Sequence, residues 1–166
     1  MKSIKFLAVV LVFIAVPSFA QTQTADLDVS ASVVANCTIS TTPVAFGTYD
    51  PLAGAPDDDG VGTVSVTCTR GASGLRIDLN TGSYAANAVG TTRAMFEGTS
   101  EYLSYELFQD VARSTVWGEN AAAGVLVPAP VSGLVAQTFD VFGRIPASQD
   151  AVVGNYTDIV VAEINY

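Results

Sequence analysis

Alternating apolar and polar residues run along much of this chain, and the longest such stretch lies near its N-terminus. Over residues 26–39 the apolar side chains occupy odd positions, namely Leu27, Val29, Ala31, Val33, Ala35, Cys37 and Ile39. A period of two indicates a β-strand with one buried face. Strands usually contain about five or six residues, so the pattern predicts an N-terminal strand of roughly double length.

The same alternation predicts further strands along the rest of the chain. They cover residues 64–68, 75–79, 93–96, 102–108, 135–141 and 160–166. A short glycine-rich connection joins the first two, which are therefore predicted to be antiparallel neighbours. No stretch combines a sustained helical period with capping residues. Short strands separated by turn signals indicate an all-β sandwich.

The predicted strands do not add up to a complete sandwich. From Cys37 onward the chain supplies about six main strands, whereas an immunoglobulin-like sandwich needs about seven. The predicted fold class is therefore an incomplete immunoglobulin-like β-sandwich that is one strand short at its C-terminal edge. The last strand has four apolar side chains on one face: Val160, Ala162, Ile164 and Tyr166.

The extra N-terminal strand offers a way to complete this fold. An uncovered sheet edge beside an open core is an aggregation hazard, and a strand from a neighbouring molecule can cover it. Burying Leu27, Val29 and Val33 would contribute about 1.5–3 kcal/mol each before the cost of ordering them, with Ala31 filling a smaller pocket. A head-to-tail contact of this kind does not close on itself and produces a fibre.

The first twenty residues have the features of a secretory signal peptide. Lys2 and Lys5 precede an apolar run over residues 6–16, and Ser18-Phe19-Ala20 is a small-x-small cleavage signal. The run is too short and wrongly flanked for a transmembrane helix. We expect a signal peptide over residues 1–20, an N-terminal donor-strand extension over 21–35, and a sandwich domain over 36–166.

Charge and composition exclude several classes of function. After removal of the signal peptide, five arginines and sixteen carboxylates give a net charge of −11. Such a surface repels phosphate backbones and anionic lipid headgroups, which excludes nucleic-acid binding. The absence of histidine excludes Ser-His-Asp and Cys-His catalysis and histidine-ligated metal sites.

The chain contains two cysteines, Cys37 and Cys68. In an exported protein such a pair predicts one disulfide. The closed loop of about thirty residues would contribute roughly 3.5–4 kcal/mol of stability in the chain-entropy model.

Carboxylates are the remaining candidates for catalysis or metal binding. Four lie close together in sequence and are predicted to form a solvated surface rather than a catalytic pair: Glu97, Glu101, Glu106 and Asp110. Residues 57–59 are three consecutive aspartates, but Ala55 and Val61 fall where further calcium ligands should lie. The segment is therefore predicted to be a charged loop tip. We predict no catalytic residue, cofactor or metal ion.

Two aromatic residues suggest binding but have plainer interpretations. Trp117 could provide a platform for a carbohydrate, although a single tryptophan in a sandwich is more often a core or loop anchor. Tyr156 and Asp158 precede the last strand, where a tyrosine packing on the sandwich and an aspartate fixing a turn are expected.

An ordered set of short motifs covers nearly the whole exported chain and resembles the spore coat protein U domain family. That family includes the major subunits of archaic (Csu-type) chaperone–usher pili. The motifs are VVANC (33–37), FGTYDP (46–51), VSVTC (64–68), LSYELFQD (103–110), WG (117–118), FGRIP (142–146) and GNYTD (154–158). Ser148 stands where the resemblance predicts a glycine.

The resemblance implies a pilin that a periplasmic chaperone holds and an outer-membrane usher exports. Its donor strand would comprise Leu27, Val29, Ala31 and Val33, and neighbouring subunits would be its partners. The wall of its acceptor groove, where chaperone and donor bind, would comprise Val160, Ala162, Ile164 and Tyr166. The protein would pass through the periplasm and end in an adhesive pilus at the cell surface.

Two alternatives remain open at this point. The chain could be a secreted coat or biofilm matrix protein that assembles less regularly. It could also be a monomeric module that binds a carbohydrate or an ion through Trp117 or the acidic loop.

Overall fold

The computed structural model describes residues 19–119, 123–127, 133 and 135–166. It divides into two compact units, residues 1–32 and 33–166. In the first unit the described residues, 19–32, are exposed and form no strand. The predicted signal peptide lies outside the described residues except for Phe19 and Ala20. No helix in the described ranges is long and apolar enough to cross a membrane.

Strands dominate the second unit, and the prediction of an all-β fold is confirmed. Apart from them, a single 3-10 turn at Ala85–Asn87 is the one helical element of the described residues. The strands are β1 (Cys37–Ala45), β2 (Val61–Cys68), β3 (Arg76–Leu79), β4 (Arg93–Phe96), β5 (Tyr102–Phe108), β6 (Val125–Leu126), β7 (Gln137–Arg144) and β8 (Ala162–Asn165).

The strands form two antiparallel sheets with a common apolar core. One sheet has the order β1-β2-β7-β5-β4 and the other has the order β6-β3-β8. The inward-facing side chains of β2, β3 and β5 supply much of the core, including Val64, Val66, Ile77, Leu79, Leu103 and Leu107. Strands β1 and β8 therefore lie at the edges of different sheets.

The predicted pairing of residues 64–68 with residues 75–79 is wrong. Strand β2 pairs with β1 and β7, whereas β3 pairs with β6 and β8 in the other sheet. The connection between them crosses from one sheet to the other, and Gly71 and Gly74 adopt positive φ there. Both strands still turn their apolar faces to the same core, so the alternation alone fits either arrangement.

The predicted disulfide is confirmed and fastens the start of β1 to the end of β2. Cys37 and Cys68 lie directly opposite each other in the ladder, and their sulfur atoms are bonded. The pairing continues one residue further, because the backbone N–H of Thr69 donates to the carbonyl of Asn36 at 2.8 Å. The entry of the chain into the sandwich is thus fixed covalently and by hydrogen bonds.

A buried arginine connects the two sheets at one end of the core. The Arg93 guanidinium is fully buried and donates to Glu106 at 2.5 Å. It also donates to the backbone carbonyls of Leu79, Asn80 and Trp117 at 2.7–3.0 Å. A buried charge with this many partners is compensated, and it holds β3, β4 and β5 in fixed positions.

Glu106 was predicted to lie on a solvated surface, and this prediction is wrong. The residue is only 6% exposed. Its carboxylate accepts hydrogen bonds from the backbone N–H and the hydroxyl of Thr92 at 2.8 and 2.9 Å. Apolar and polar residues alternate around Glu106, as expected for a strand with one exposed face. The segment before β4, however, crosses that face of β5 and covers Glu106.

Replacing Glu106 by leucine should destabilise the domain strongly. The change leaves the Arg93 charge buried without its carboxylate, which costs about 3–5 kcal/mol in comparable buried pairs. Chemical denaturation measures the free energy of unfolding. Asp140→Asn, which alters an exposed carboxylate on β7, is the matched control and should leave stability unchanged. Equal stability of the two variants would refute a structural role for the ion pair.

Ser148 retains the backbone geometry for which a glycine was expected. It has φ of +60°, in the left-handed region. Tyr49 fixes this turn, because its hydroxyl donates to the carbonyl of Pro146 at 3.0 Å and accepts from the N–H of Gln149 at 3.1 Å. The turn is therefore preserved although the residue differs.

Ser148→Gly should stabilise the domain modestly. A non-glycine residue in this conformation costs about 1–2 kcal/mol, while glycine costs about 0.5–1 kcal/mol in unfolded-chain entropy. We expect a net gain of up to about 1 kcal/mol in urea denaturation. Ser148→Ala keeps the strained conformation and should give no gain; a gain of equal size for alanine would contradict this explanation.

Candidate binding groove

An open groove of about 390 Å³ lies between β1 and the segment that leads into β8. One wall is the part of β1 over residues 41–44 with Phe46, and the other is residues 156–160 with Ala162. The floor consists of core side chains: Val64, Leu79, Met95, Tyr105, Leu107 and Val141. The groove therefore opens directly onto the hydrophobic core.

The β1 wall is a strand edge. β1 pairs with β2 on one side and has no strand partner on its other side among the described residues. Its ladder with β2 is irregular between Thr42 and Ala45, and residues 40–43 are exposed. Unpaired N–H and C=O groups on such an edge are ready to bond with an additional strand.

The opposite wall alternates in the manner of a strand. Val160 and Ala162 are partly buried and line the groove, whereas Ile159 and Val161 are exposed by 74% and 54%. Asn80 holds this segment from the far side: its backbone N–H donates to the Val161 carbonyl and its side chain accepts from the Val161 N–H. The wall is thus attached to the end of β3, and Thr157 at its start exchanges backbone hydrogen bonds with Phe96 of β4.

Asp158 anchors the same wall to the groove floor. Its carboxylate accepts from the Tyr105 hydroxyl at 2.7 Å and from the N–H of Ser83 at 2.8 Å. Gly82 has φ of +77°, and a Cβ there would lie 2.0 Å from the carboxylate, so only glycine fits. Burial, assisted by Asp158, raises the pKa of Tyr105 well above its usual value, and the phenol stays protonated as a donor.

Phe46 lines the groove beside the β1 wall. Its ring packs on the backbone of Gly60 and Gly143, where a Cβ would come within about 2.5 Å of ring carbons. It also meets the Tyr105 ring edge-on at a centroid distance of 6.1 Å. The FGTYDP and FGRIP motifs therefore meet here, since Phe46 belongs to the first and Gly143 to the second.

The four predicted groove residues divide into two groups. Val160 and Ala162 line the groove. Ile164 lies further along β8 opposite Ile77 and packs against the core, and Tyr166 follows the strand and is 58% exposed. The sequence did not identify the β1 wall, although the break in alternation at Pro43 marks the place where it becomes irregular.

The predicted donor residues are exposed. Leu27, Val29 and Val33 are 87%, 88% and 85% exposed, and Ala31 is exposed as well. The first strand starts only at Cys37, so the hydrogen-bonded strand is shorter than the alternation that predicts it. Four apolar side chains in alternating positions are thus left without a buried environment.

The structure places the other candidate residues in supporting roles. Trp117 is fully buried, and its indole N–H donates to the Ile77 carbonyl at 3.0 Å, which rules out a carbohydrate platform. In the acidic loop, Asp58 bonds to Arg144 at 2.6 and 2.8 Å, and this contact lowers the pKa of Asp58. No group of three or more side chains suited to hold a metal ion occurs in the described ranges.

Comparison with known proteins agrees with this architecture. The sequence model of the Spore Coat Protein U domain matches residues 23–163. The chain is 36% identical over 163 residues to "Protein U" of Myxococcus xanthus, with 90% of this chain and 88% of that protein covered.

A solved structure shares the fold. It is the CsuC–CsuE chaperone–tip adhesion subunit pre-assembly complex from archaic chaperone–usher Csu pili of Acinetobacter baumannii, with a TM-score of 0.58 and 21% identity. The match covers 81% of this chain, and the chain spans 40% of the matched one. The prediction of an incomplete immunoglobulin-like sandwich is confirmed. This chain belongs to the Spore Coat Protein U domain family.

Proposed function

We propose that this protein is a structural subunit of an adhesive extracellular pilus whose subunits are joined by donor-strand complementation. The observation that carries the proposal is an apolar groove, open to the core between the edge strand β1 and the segment leading into β8, in a chain with an exposed apolar segment. The donor extension is residues 21–35, and the acceptor is the groove of a second copy. The role is mechanical and involves no catalysis.

The groove and the segment complement each other chemically. A strand inserted between β1 and the wall at residues 156–162 would pair with backbone groups along both. Side chains at alternate positions would then point to the floor, so Leu27, Val29, Ala31 and Val33 would enter together. Each of the three larger ones contributes about 1.5–3 kcal/mol on burial, less the cost of ordering the segment.

The same open groove requires protection before assembly. A subunit with an exposed core edge would aggregate in the periplasm, and a chaperone that lends a strand to the groove would prevent this. The structural likeness to a chaperone–subunit complex of Csu pili supports this partner. We further propose export by the signal peptide over residues 1–20, passage through an outer-membrane usher, and a final location at the cell surface.

A secreted coat or matrix protein is the second candidate. The 36% identity to Protein U and the match to the Spore Coat Protein U domain support it. Electron microscopy of surface material separates the two, since the pilus predicts thin fibres and the coat predicts a continuous layer. The hypothesis of a monomeric carbohydrate-binding module is not supported by Trp117, because this side chain is buried.

Val29→Asp should prevent a subunit from acting as a donor. A carboxylate at this position cannot enter an apolar pocket, while the exposed side chain makes no contribution to the subunit's own core. Surface-sheared material is analysed by electrophoresis in SDS, with and without boiling. The unchanged protein should give a ladder that collapses on boiling, and Val29→Asp should abolish it. Ser30→Asp, on the opposite face, is the control and should retain the ladder.

Val160→Asp should block the acceptor side in the same assay. It places a charge inside the groove, whereas Val161→Asp places the same charge on the exposed face of the same segment. We expect loss of the ladder only for Val160→Asp. Thermal unfolding of both variants verifies that each is folded. Ladders of equal strength from the two variants would count against the groove as the joining site.

A further inference from the structure

We propose that the disulfide between Cys37 and Cys68 bears mechanical load: it transfers tension on the N-terminal segment past the edge strand β1 and into β2. The proposal rests on the proposed function for the origin of the tension, since a fibre is pulled through the segments that join its subunits. It goes beyond that function by assigning the path of the force inside one subunit.

A single ladder holds β1 to the sandwich. The strand pairs with β2, has no strand on its other side among the described residues, and its ladder is irregular after Thr42. Its contacts with the core come from a few partly buried side chains, Cys37, Ile39 and Val44. Elements with few buried contacts and exposed hydrogen bonds open at the lowest free energies. β1 is therefore expected to detach before the strands that enclose the core.

Tension on the N-terminal segment reaches β1 at its first residue. The chain runs from the exposed segment through Asn36 into Cys37, where β1 begins. A pull across the strand would open the ladder pair by pair from this end, and a pull along the strand would shear β1 past β2. The hydrogen bonds that resist are individually weak. Both movements require Cys37 to leave its position opposite Cys68.

The disulfide prevents both movements because it joins this first pair covalently. Cys68 is the last residue of β2 and is 2% exposed. β2 lies between β1 and β7, and it pairs with β7 from Val61 to Val66. Tension that enters at Cys37 therefore continues into a strand that is held on both sides.

Hydrogen bonds between Asn36 and Thr69 lie outside the disulfide, on the side from which the pull arrives. The backbone N–H of Thr69 donates to the Asn36 carbonyl at 2.8 Å, and the Asn36 N–H donates to the Thr69 hydroxyl at 3.1 Å. These contacts are loaded before the disulfide, and their loss leaves β1 in place. The covalent bond is thus the element that protects the strand.

Detachment of β1 would also release the neighbouring subunit. Residues 41–44 form one wall of the groove that holds the donor strand in the proposed fibre. β1 is then loaded twice, at its first residue by its own segment and along residues 41–44 by the strand of the neighbour. Protection of β1 keeps this junction intact while the fibre is stretched.

A disulfide also stabilises a domain in a way that does not depend on the point of pulling. It restricts the unfolded chain, so it opposes unfolding wherever the force is applied. The load-bearing role differs, because it depends on where the force enters and on where along the ladder the cross-link lies. These two dependences separate the roles.

The first experiment pulls single molecules in optical tweezers from two different points. One handle is always attached to the exposed Val153, and the other is attached either to Val33, ahead of Asn36, or to Val89, in the loop before β4. The unaltered protein is compared with a double variant in which both cysteines of the disulfide are replaced by alanine.

Pulling the double variant through Val33 should give an additional step at a force below that of global unfolding. The step corresponds to the release of β1, nine residues or about 30 Å of chain. The unaltered protein should lack this step. Neither protein should show it when pulled through Val89, because that force does not enter at the start of β1.

A cross-link moved along the same ladder separates position from stability. Thr42 and Thr63 lie opposite each other with their hydroxyl oxygens 2.9 Å apart, so cysteines at these positions can form a disulfide. Thr42→Cys with Thr63→Cys, added to the two alanine substitutions, restores one cross-link between β1 and β2. The early step through Val33 should then shorten to residues 37–41, about 17 Å of chain. This comparison decides the question even if the alanine variant does not fold.

The outcomes distinguish the load path from the proposed function. If removal of the disulfide lowers the unfolding force equally through Val33 and Val89 without an early step, the bond is only a stabiliser and the inference is wrong. Absence of the shortened step from the variant with the moved cross-link also overturns it. Both results leave the proposed function standing, because that function is tested by the SDS ladder. An unaltered chain that gives no ladder would refute the proposed function, whereas the load path measured in single molecules would remain.

Discussion

The structure depends on a strand edge, β1, and an extended segment that leads into β8; the two face each other across the groove, and no hydrogen bond between them occurs among the described residues. β1 belongs to the five-stranded sheet and β8 to the three-stranded sheet. Between β1 and the segment leading into β8, the side chains of Val64, Leu107 and Val141 form part of the groove floor. Backbone groups and apolar surface left in this state both favour an additional strand. The fold by itself therefore favours the binding of a strand from a partner.

Buried polar contacts keep the groove in shape. Arg93 and Glu106 fix β3, β4 and β5 to each other, and Asp158 fastens the C-terminal wall to Tyr105 on the floor. The disulfide and the Asn36–Thr69 contact secure the opposite wall at the start of β1. Because each wall is attached to the sandwich and not to the other wall, the groove stays open and its surface is preorganised for a strand.

The sequence predicted the strands well and their partners poorly. Alternation located β2, β5 and β7, since a half-buried strand must alternate, but it specified only a buried face and so misassigned the partner of β2. Glu106 illustrates a second limit, because its burial is produced by residues 80–92 crossing over β5. The groove was inferred from a missing strand, yet its β1 wall was not recognised, because Thr41 and Thr42 have no apolar pattern.

The most direct test of the central claim is to ask which atoms the apolar segment touches in the assembled state. A photo-crosslinking side chain in place of Val29 is activated in material assembled from a mixture of light and heavy isotope-labelled chains, and the products are identified by mass spectrometry. We predict crosslinks to residues 41–46 or 156–162, with light and heavy peptides joined in mixed pairs. Crosslinks confined to pairs of one isotope, or to residues outside the groove, would contradict it.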